Sequence, residues 1–410
     1  MAQIVTGTPF WSSTTQIPQQ FPYLAKDIEC DIAVIGGGAS GALAAYQLSK
    51  ENVDVVLVDA NLFGYGSTSV CSSVLQYEID YDLTGLKELI GLEKAIRAFR
   101  ACVKGLDDLS KLVVELNEDV GFTRRDCFYY TPDCAGTDEI KQEFLLRRHN
   151  GFPVELYDNV KAAEKFSFKV DTGIYSTGLA GEIDPYKLTH ALIKNAVENG
   201  IRAFENTPIE SVSTEGCGIV LETRTRHKIH CKKLVNASGY AAAKETHKAT
   251  SMRTSFCVVT EPVKNFNGWF NRCIIRDDCD PNTYMRTTKD DRILIGGLDS
   301  TLIDGRGTFA GIIKLPSIVQ RKYDVLEQKL ISMFTGIENI KAEYRFSGIY
   351  GDTSDGLPYI GEVKGYPNVY YDICCGSNGI VFGMIGANII RDLYLGKEPQ
   401  NLDLFCISRD

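Results

Sequence analysis

The feature that most constrains the fold is a glycine-rich loop that joins a buried strand to a helix near the start of the chain. Residues 31–35 form a short apolar run, which predicts a buried strand. The loop 36–41 follows, and then a segment, 42–50, whose apolar residues share one helical face. A second apolar run, 53–58, ends at Asp59. This order predicts a β-α-β unit, and therefore a parallel sheet with a right-handed crossover.

The glycines of this loop have the spacing of a dinucleotide-binding site. Gly36 suits a tight turn, Gly38 lets the backbone approach a pyrophosphate, and Gly41 lets the helix pack closely on the sheet. The helix start at Ala39 and Ser40 would offer free N–H groups to the phosphates. The pattern alone does not separate FAD from NAD, because both cofactors carry the same ADP half.

Asp59, at the end of the second strand, is placed to accept hydrogen bonds from ribose hydroxyls. A carboxylate at this position also disfavours a 2′-phosphate, which argues against NADP. Strand, glycines, helix, second strand and terminal acid thus occur in the order that a dinucleotide site requires.

Charge and composition exclude several classes of partner. The formal net charge of −9 argues against a nucleic-acid partner, since phosphate binding depends on clustered Lys and Arg. The apolar run 380–390 has about half of the roughly 20 residues that span a bilayer. The first residues lack the basic and apolar regions of an export signal, so we expect a cytoplasmic protein without a transmembrane segment.

Cysteines and histidines give no sign of a metal site. The 13 cysteines include no C-x-x-C pair, and reduced thiols in a cytoplasm are the better interpretation. Cys374 and Cys375 are adjacent, and we expect buried strand-end residues there rather than a redox pair. His227 and His230 form the only close histidine pair, which favours exposed strand residues over metal ligands.

Further elements follow from local pattern. Asp184 before a proline predicts a helix start, and Gly200 predicts its end. The remaining predicted elements are strands at 201–204, 219–225 and 233–237, a hairpin of 284–288 with 293–297, and helices at 316–334 and 380–395. The whole pattern predicts an α/β protein with a β-rich second region.

Two segments near the end of the chain carry a family resemblance. Residues 348–361, and then 375–380 at a helix start, resemble the end of the D-amino-acid oxidase and glycine oxidase superfamily of FAD-dependent oxidoreductases. With 31–60, 181–185, 235–239 and 260–262, the likeness covers most of the chain. The run 284–297 looks most like the gamma-glutamylputrescine oxidase branch.

The resemblance implies a two-domain flavoprotein of the glutathione-reductase type. It implies a discontinuous, Rossmann-like FAD-binding domain over 1–85, 155–250 and 345–410, and a β-rich substrate domain over 86–154 and 251–344. It also implies oxidative deamination of a small amine or amino acid: a hydride passes from the carbon next to nitrogen to flavin N5, and the imine hydrolyses. Oxygen or another acceptor then reoxidises the flavin.

The resemblance also supplies cofactor-binding residues beyond the glycine loop. They are Ala60, Gly66, Ser67, Thr68, Ile209, Ala237, Gly239, Gly348, Gly376, Ser377, Asn378, Gly379 and Ile380. A helix N-terminus at Gly379 would stabilise the negative charge that reduction places on the flavin N1–C2 carbonyl edge. The alternative interpretation of 376–383 is a helix that packs tightly through small residues, and the two are compatible.

The chain departs from its relatives at three places. Ser69–Ser73 replaces an Arg-Asn pair, so flavin-side polar contacts differ. Gly348 falls in the segment where sarcosine-oxidase-like members carry the cysteine that binds flavin covalently, which predicts non-covalent FAD. Tyr350 stands where glycine oxidases carry an arginine for the substrate carboxylate.

Three residues are candidates for contact with the substrate. Tyr284 and Arg286 are two apart on a predicted strand and so point to one face; Tyr350 belongs to the segment expected to face the flavin. An equal alternative for Arg286 is an ion pair on a solvated sheet. Leu294 lies where sarcosine oxidases have an oxygen-activating lysine, so a dehydrogenase that passes electrons to a quinone or a protein stays open. A non-catalytic flavin-binding subunit is the third alternative.

Overall fold

The computed structural model describes residues 5–239, 251–301, 316–363, 365–373 and 376–409. The strands are β1 (Val5–Gly7), β2 (Ile28–Ile35), β3 (Val55–Val58), β4 (Val74–Gln76), β5 (Thr123–Thr131), β6 (Val154–Asp158), β7 (Thr172–Glu182), β8 (Arg202–Phe204), β9 (Ile209–Glu215), β10 (Gly218–Thr223), β11 (Lys228–Asn236), β12 (Ser251–Thr260), β13 (Ile274–Asp277), β14 (Thr283–Thr287), β15 (Ile293–Thr301), β16 (Ala342–Asp352), β17 (Tyr359–Val363) and β18 (Tyr366–Ile373). The α-helices are α1 (Phe10–Thr14), α2 (Ala39–Ser49), α3 (Leu83–Ile90), α4 (Leu92–Leu116), α5 (Thr137–His149), α6 (Asn159–Ala163), α7 (Pro185–Glu198), α8 (Pro316–Met333), α9 (Gly379–Tyr394) and α10 (Leu402–Phe405).

The first sheet has a parallel centre, as the glycine-loop unit predicts. Its order is β17-β18-β11-β2-β3-β8, and β10 and β9 extend it from β11. Strands β18, β11, β2, β3 and β8 pair in parallel, and β17 pairs antiparallel with β18. One face packs against α2, α4, α7 and α9, and the other face has a smaller apolar core. The predicted α/β class with a parallel core is confirmed.

The second sheet is almost entirely antiparallel and carries the β-rich region. Its order is β1-β16-β12-β15-β14-β13-β5-β7-β4, with β6 beside β7. Helix α8 covers one face over an aromatic core. The predicted hairpin is present, since β14 pairs antiparallel with β15. The predicted helix start at Asp184 is also present, because its carboxylate accepts hydrogen bonds from the N–H groups of Tyr186 and Lys187, both at 2.9 Å.

Several segments lie in a different sheet from the one that the sequence-based domain division gives them. Strand β7 and nearly all of β6 fall in 155–250 of the predicted FAD-binding domain but belong to the second sheet. Strand β4, in 1–85, and most of β16, in 345–410, also belong to the second sheet. Helix α4 packs on α9 beside the first sheet although it falls in 86–154; a Cβ added at Gly105 would lie 3.0 Å from Ile385 Cγ1. The chain crosses between the two sheets repeatedly. The division into two domains with these bounds stays a prediction.

Candidate active site

The glycine loop has the close contacts that its spacing predicts. Gly36 has a φ of +104°, and a Cβ added there would lie 2.4 Å from the carbonyl oxygen of Ala237. A Cβ added at Gly41 would lie 1.8 Å from the carbonyl oxygen of Gly36. No side chain larger than hydrogen fits either position without moving backbone. Helix α2 can therefore start directly against the end of β2, which brings its N-terminus to the phosphate-binding position.

The carboxylate of Asp59 fixes the backbone of this loop through hydrogen bonds. Its Oδ2 accepts a hydrogen bond from the N–H of Gly37 at 2.7 Å, and its Oδ1 accepts one from the N–H of Asn61 at 2.7 Å. Burial raises the pKa of Asp59 above its ordinary value, although these two backbone donors oppose the shift. Each carboxylate oxygen keeps capacity for a further donor, which is what a ribose hydroxyl would supply.

One large cavity connects the glycine loop to the second sheet. Its volume is about 1820 Å³, against roughly 300–1,000 Å³ for a drug-sized ligand. Eighteen of the predicted site residues line it: Gly36, Gly38, Ala39, Ser40, Asp59, Ala60, Gly66, Ser67, Thr68, Ala237, Gly239, Tyr284, Gly348, Tyr350, Gly376, Ser377, Gly379 and Ile380. Residues from distant parts of the chain, between Gly36 and Ile380, therefore meet at a single cavity.

The start of α9 forms one wall of this cavity. Gly376 has a φ of +53°, and a Cβ added there would lie 2.6 Å from Asp80 Oδ2. Asn378 is buried and does not line the cavity, and its Nδ2 donates to the carbonyl oxygen of Gln76 at 2.8 Å. The first N–H groups of α9 and the positive end of its dipole therefore face the cavity beside Gly379. Cys375 and its neighbour Cys374 lie outside the described residues.

A second close approach brings β16 to the turn after the glycine unit. A Cβ added at Gly348 would lie 2.6 Å from Val70 Cγ2. Val70 ends the 3-10 turn Ser67–Val70, and Thr68 Oγ1 in the same turn accepts a hydrogen bond from the N–H of Ala39 at 3.0 Å. This turn therefore links the start of α2 to the second sheet, and Cys71, the next residue, also lines the cavity.

Four predicted site residues do not line the cavity. Gly41 lets helix α2 pack against the backbone of Gly36. Asn378 donates a hydrogen bond to the carbonyl oxygen of Gln76. Ile209 begins β9 and packs in the core on the far face of the first sheet. The structure therefore does not bring the Ile209 side chain to the cavity, contrary to the cofactor-binding role that the resemblance implied.

Arg286 is also placed away from the cavity. Its guanidinium lies 4.9 Å from the ring centroid of Trp11, and its Nη2 donates to the carbonyl oxygen of Ile183 at 3.1 Å. The residue is fully buried, and burial lowers the pKa of Arg286 although Glu182 and Asp184 oppose the shift. Tyr284 and Arg286 share a sheet face as predicted, but Trp11 covers the guanidinium of Arg286, and the residue does not line the cavity.

Tyr284 and Tyr350 both reach the cavity. The ring of Tyr284 lies across Gly296, where an added Cβ would be 2.5 Å from the tyrosine hydroxyl oxygen. That hydroxyl lies 3.2 Å from Ser255 Oγ. Tyr350 donates a hydrogen bond to Asp299 Oδ2 at 2.5 Å. Burial raises the pKa of both tyrosines, so each stays a neutral phenol at physiological pH.

Sequence reasoning missed a group of acids on the same wall. Asp80, Asp299 and Asp352 line the cavity around Tyr350. Ser377 Oγ donates to Asp80, and Arg253 Nε lies 2.8 Å from Asp352 Oδ2. Burial, followed by the charge of Asp80, raises the pKa of Asp352 to about 7. These acids come from three separate segments, and no local spacing relates them.

Comparison with known proteins agrees with this geometry. The model of the DAO family, described as "FAD dependent oxidoreductase", matches residues 31–393. The chain belongs to this family of FAD-dependent oxidoreductases. The resemblance that the sequence showed is confirmed, and so is the expectation of an enzyme.

The relatives cover nearly the whole chain at low identity. Gamma-glutamylputrescine oxidoreductase from Escherichia coli is 22% identical over 94% of this chain and 88% of its own length. Glycine oxidase from Geobacillus kaustophilus is 22% identical over 92% of this chain and 97% of its own length. The crystal structure of glycine oxidase from that organism superposes with a TM-score of 0.77, at 20% identity over 93% of this chain and 99% of that one. Among the described residues, no helix is both long and apolar enough to cross a membrane.

Proposed function

We propose that the protein oxidises the carbon–nitrogen bond of a small amine or amino acid with FAD as its cofactor. The observation that carries the proposal is the continuity of one cavity from the glycine loop to the second sheet. FAD, when bound, accepts a hydride from the carbon beside the substrate nitrogen. The curated names of two relatives, a gamma-glutamylputrescine oxidoreductase and a glycine oxidase, support substrates of this class.

The residues that the structure brings together fit FAD. The N–H of Ala39 already bonds Thr68 Oγ1, but the backbone at Gly38 and Ser40 lines the cavity at the start of α2 and suits the pyrophosphate. Asp59 keeps acceptor capacity for ribose hydroxyls. The start of α9, at Gly379 and Ile380, also lines the cavity and presents N–H groups and a positive dipole to it. These two helix starts suit the two parts of FAD that carry or develop negative charge, the pyrophosphate and the N1–C2 carbonyl edge of the flavin ring.

The chain itself supplies orientation, exclusion of water and placement of charge, because the cofactor carries the difficult chemistry. Tyr350 and Tyr284 are neutral phenols on the substrate wall, and each can hydrogen-bond a substrate without carrying charge. Asp299 fixes the Tyr350 hydroxyl. The role of substrate contact that the sequence suggested for Arg286 does not enter the proposal, since Trp11 covers its guanidinium.

We also propose that FAD is held without a covalent bond and that the protein works in a reducing compartment such as the cytoplasm. Gly348 offers no side chain for a covalent link, and all cysteines that the structure describes are free thiols. Electrons leave to oxygen or to another acceptor. Leu294, which is fully buried, offers no charge that would activate oxygen.

Steady-state product analysis tests the proposed reaction. The FAD-loaded protein is incubated with amines, amino acids and matched hydroxy acids, first in air and then with an artificial electron acceptor. We expect a carbonyl product together with ammonia or a shortened amine, and none from the hydroxy acids. Turnover that needs the artificial acceptor would identify a dehydrogenase. Oxidation of the hydroxy acids alone would contradict the proposal.

A further inference from the structure

Arg276 lies on the same cavity wall as Tyr284 but was not among the residues that the sequence singled out. It belongs to β13, directly opposite Tyr284 of β14 and beside Tyr129 of β5. All three side chains line the cavity. The guanidinium carbon of Arg276 lies 4.5 Å from the ring centroid of Tyr129, which fixes the plane of the charged group.

This arginine is poorly satisfied by the protein. A guanidinium has five N–H donors, yet among the described residues the only hydrogen bond it makes is a long one, from Nη1 to the carbonyl oxygen of Ile79 at 3.4 Å. Its Nε is buried and has no partner. Only 11% of its side chain is exposed, so bulk water does not compensate for the missing partners. An unsatisfied buried donor is destabilising, and more so when the group is charged.

Its nearest acids are engaged elsewhere. Glu78 Oε2 lies 3.9 Å from Arg276 Nη2, which is beyond a hydrogen bond, while Glu78 Oε1 forms a buried ion pair with Arg147. Asp80 accepts a hydrogen bond from Ser377 on the opposite wall. The charges of Glu78 and of Asp80, which also lines the cavity, therefore lower the cost of burying this cation. Among the described residues, no carboxylate comes within hydrogen-bond distance of the Arg276 guanidinium.

Tyr129 adds a neutral donor next to this cation. Burial raises the pKa of Tyr129 to about 12, although the charge of Arg276 opposes the shift. Its hydroxyl has no hydrogen-bond partner in the part of the chain that the structure describes. A guanidinium and a phenol side by side are complementary to the two oxygens of a carboxylate.

We propose that Arg276, assisted by the Tyr129 hydroxyl, binds a carboxylate of the substrate. The inference rests on the proposed function and narrows it: the substrate is an amino acid, or an amine that carries a carboxylate, and not an unsubstituted amine. Arg276 takes this role from a different strand than Tyr350, which explains how the site can dispense with an arginine at position 350. Arg276 therefore determines substrate specificity and takes no part in hydride transfer.

Calorimetric titration with benzoate and with benzamide tests this proposal without relying on flavin or on turnover. The two probes have the same shape and differ in charge. We expect benzoate to bind the wild-type protein more tightly than benzamide. Arg276→Gln should weaken benzoate binding by roughly 10-fold to 100-fold, as expected for a charged hydrogen bond of about 1.5–3 kcal/mol, and should leave benzamide binding unchanged. Arg276→Lys should fall between.

Arg272→Gln is the matched control, because it removes the same charge one turn before β13 from a residue that pairs with Asp291 and does not line the cavity. It should bind benzoate as the wild-type protein does. Equal benzoate affinity in Arg276→Gln and wild type, or no preference of the wild type for benzoate, would overturn the proposal. Flavin content and turnover are measured in separate experiments. A failure of the proposed reaction would appear in those measurements and would not change the calorimetric affinities.

Discussion

The hydroxyl of Tyr350 donates a 2.5 Å hydrogen bond to Asp299 Oδ2 on the wall of the cavity. Strands β16 and β15 carry these two residues, and β12 lies between them. Burial raises the pKa of Asp299, although the bonds from Tyr350 and Ser255 oppose the shift. The bond therefore stabilises a buried carboxylate and fixes the direction in which the phenol meets a substrate.

Tyr350→Phe removes this donor and keeps the ring. Because Asp299 loses a partner while buried, we expect the free energy of unfolding to fall by about 1–3 kcal/mol. We also expect KM for the substrate to rise, because the phenol no longer orients it. Urea unfolding and steady-state kinetics measure the two effects. Tyr366→Phe is the control, since Tyr366 is exposed. Unchanged stability and KM in Tyr350→Phe would show that the bond has no role.

Gly41→Ala tests the packing of α2 against the glycine loop. The new Cβ would lie 1.8 Å from the carbonyl oxygen of Gly36, so the loop must move away from its position. We expect the purified variant to retain little or no flavin at stoichiometric FAD. Ala45→Gly perturbs the same helix by about 1 kcal/mol of helix propensity without touching the loop, and should keep its flavin. Full flavin content in Gly41→Ala would contradict the assignment of the loop.

Asp352 should make stability depend on pH near neutrality. Burial and then the charge of Asp80 raise its pKa to about 7. Because the folded protein binds this proton more tightly than the unfolded chain, the free energy of unfolding falls as pH rises from about 4 to 7. Asp352→Asn should abolish this loss and be the more stable protein at pH 8.

Asp355 should have the opposite effect on the pH dependence of stability, because its pKa is lowered and not raised. Although burial opposes it, the bidentate contact with Arg409 lowers the pKa of Asp355. Asp355→Asn should therefore lower stability at neutral pH, and the difference from the wild type should shrink as pH falls through the acid range. Denaturant unfolding at several pH values measures both variants. A wild-type profile that is flat between pH 5 and 8, matched by Asp352→Asn, would contradict the account of Asp352.

Non-covalent binding of FAD predicts that denaturation releases it. Acid precipitation of the holoprotein should leave the yellow colour in the supernatant, with the chain mass equal to that of the sequence. Colour that stays with the pellet would contradict the prediction. The thiol of Cys71 lines the cavity and would then be the first attachment point to test, by Cys71→Ser.

The glycine-loop unit and the C-terminal wall could be predicted because each is a continuous segment with steric requirements of its own. Gly36, Gly41 and Asp59 lie within one β-α-β unit, whose spacing is enough to predict a turn, a close helix and an acceptor, although Ala237 from a distant segment also packs against Gly36. The start of α9 is likewise set by residues next to one another, and the structure places it at the predicted residues.

The substrate wall could not be predicted in the same way. Arg276 and Tyr129 meet because β13 pairs with β5, which is a relationship between distant segments that one sequence does not display. Arg286 lies on the same strand as Tyr284, which lines the cavity, and on the same sheet face. Trp11, from the start of the chain, nevertheless covers its guanidinium. Helix α4 did leave a signal, in the spacing of Ala95, Phe99, Cys102 and Leu106, and its face packs in the core with α9.

The most direct test of the central claim is anaerobic titration of the holoprotein with amines, amino acids and hydroxy acids while its visible flavin band is recorded. We predict that at least one amine or amino acid bleaches the band, and that air or an added electron acceptor restores it. A protein that binds no FAD, or a flavin that hydroxy acids alone reduce, would contradict the claim that this cavity oxidises a carbon–nitrogen bond.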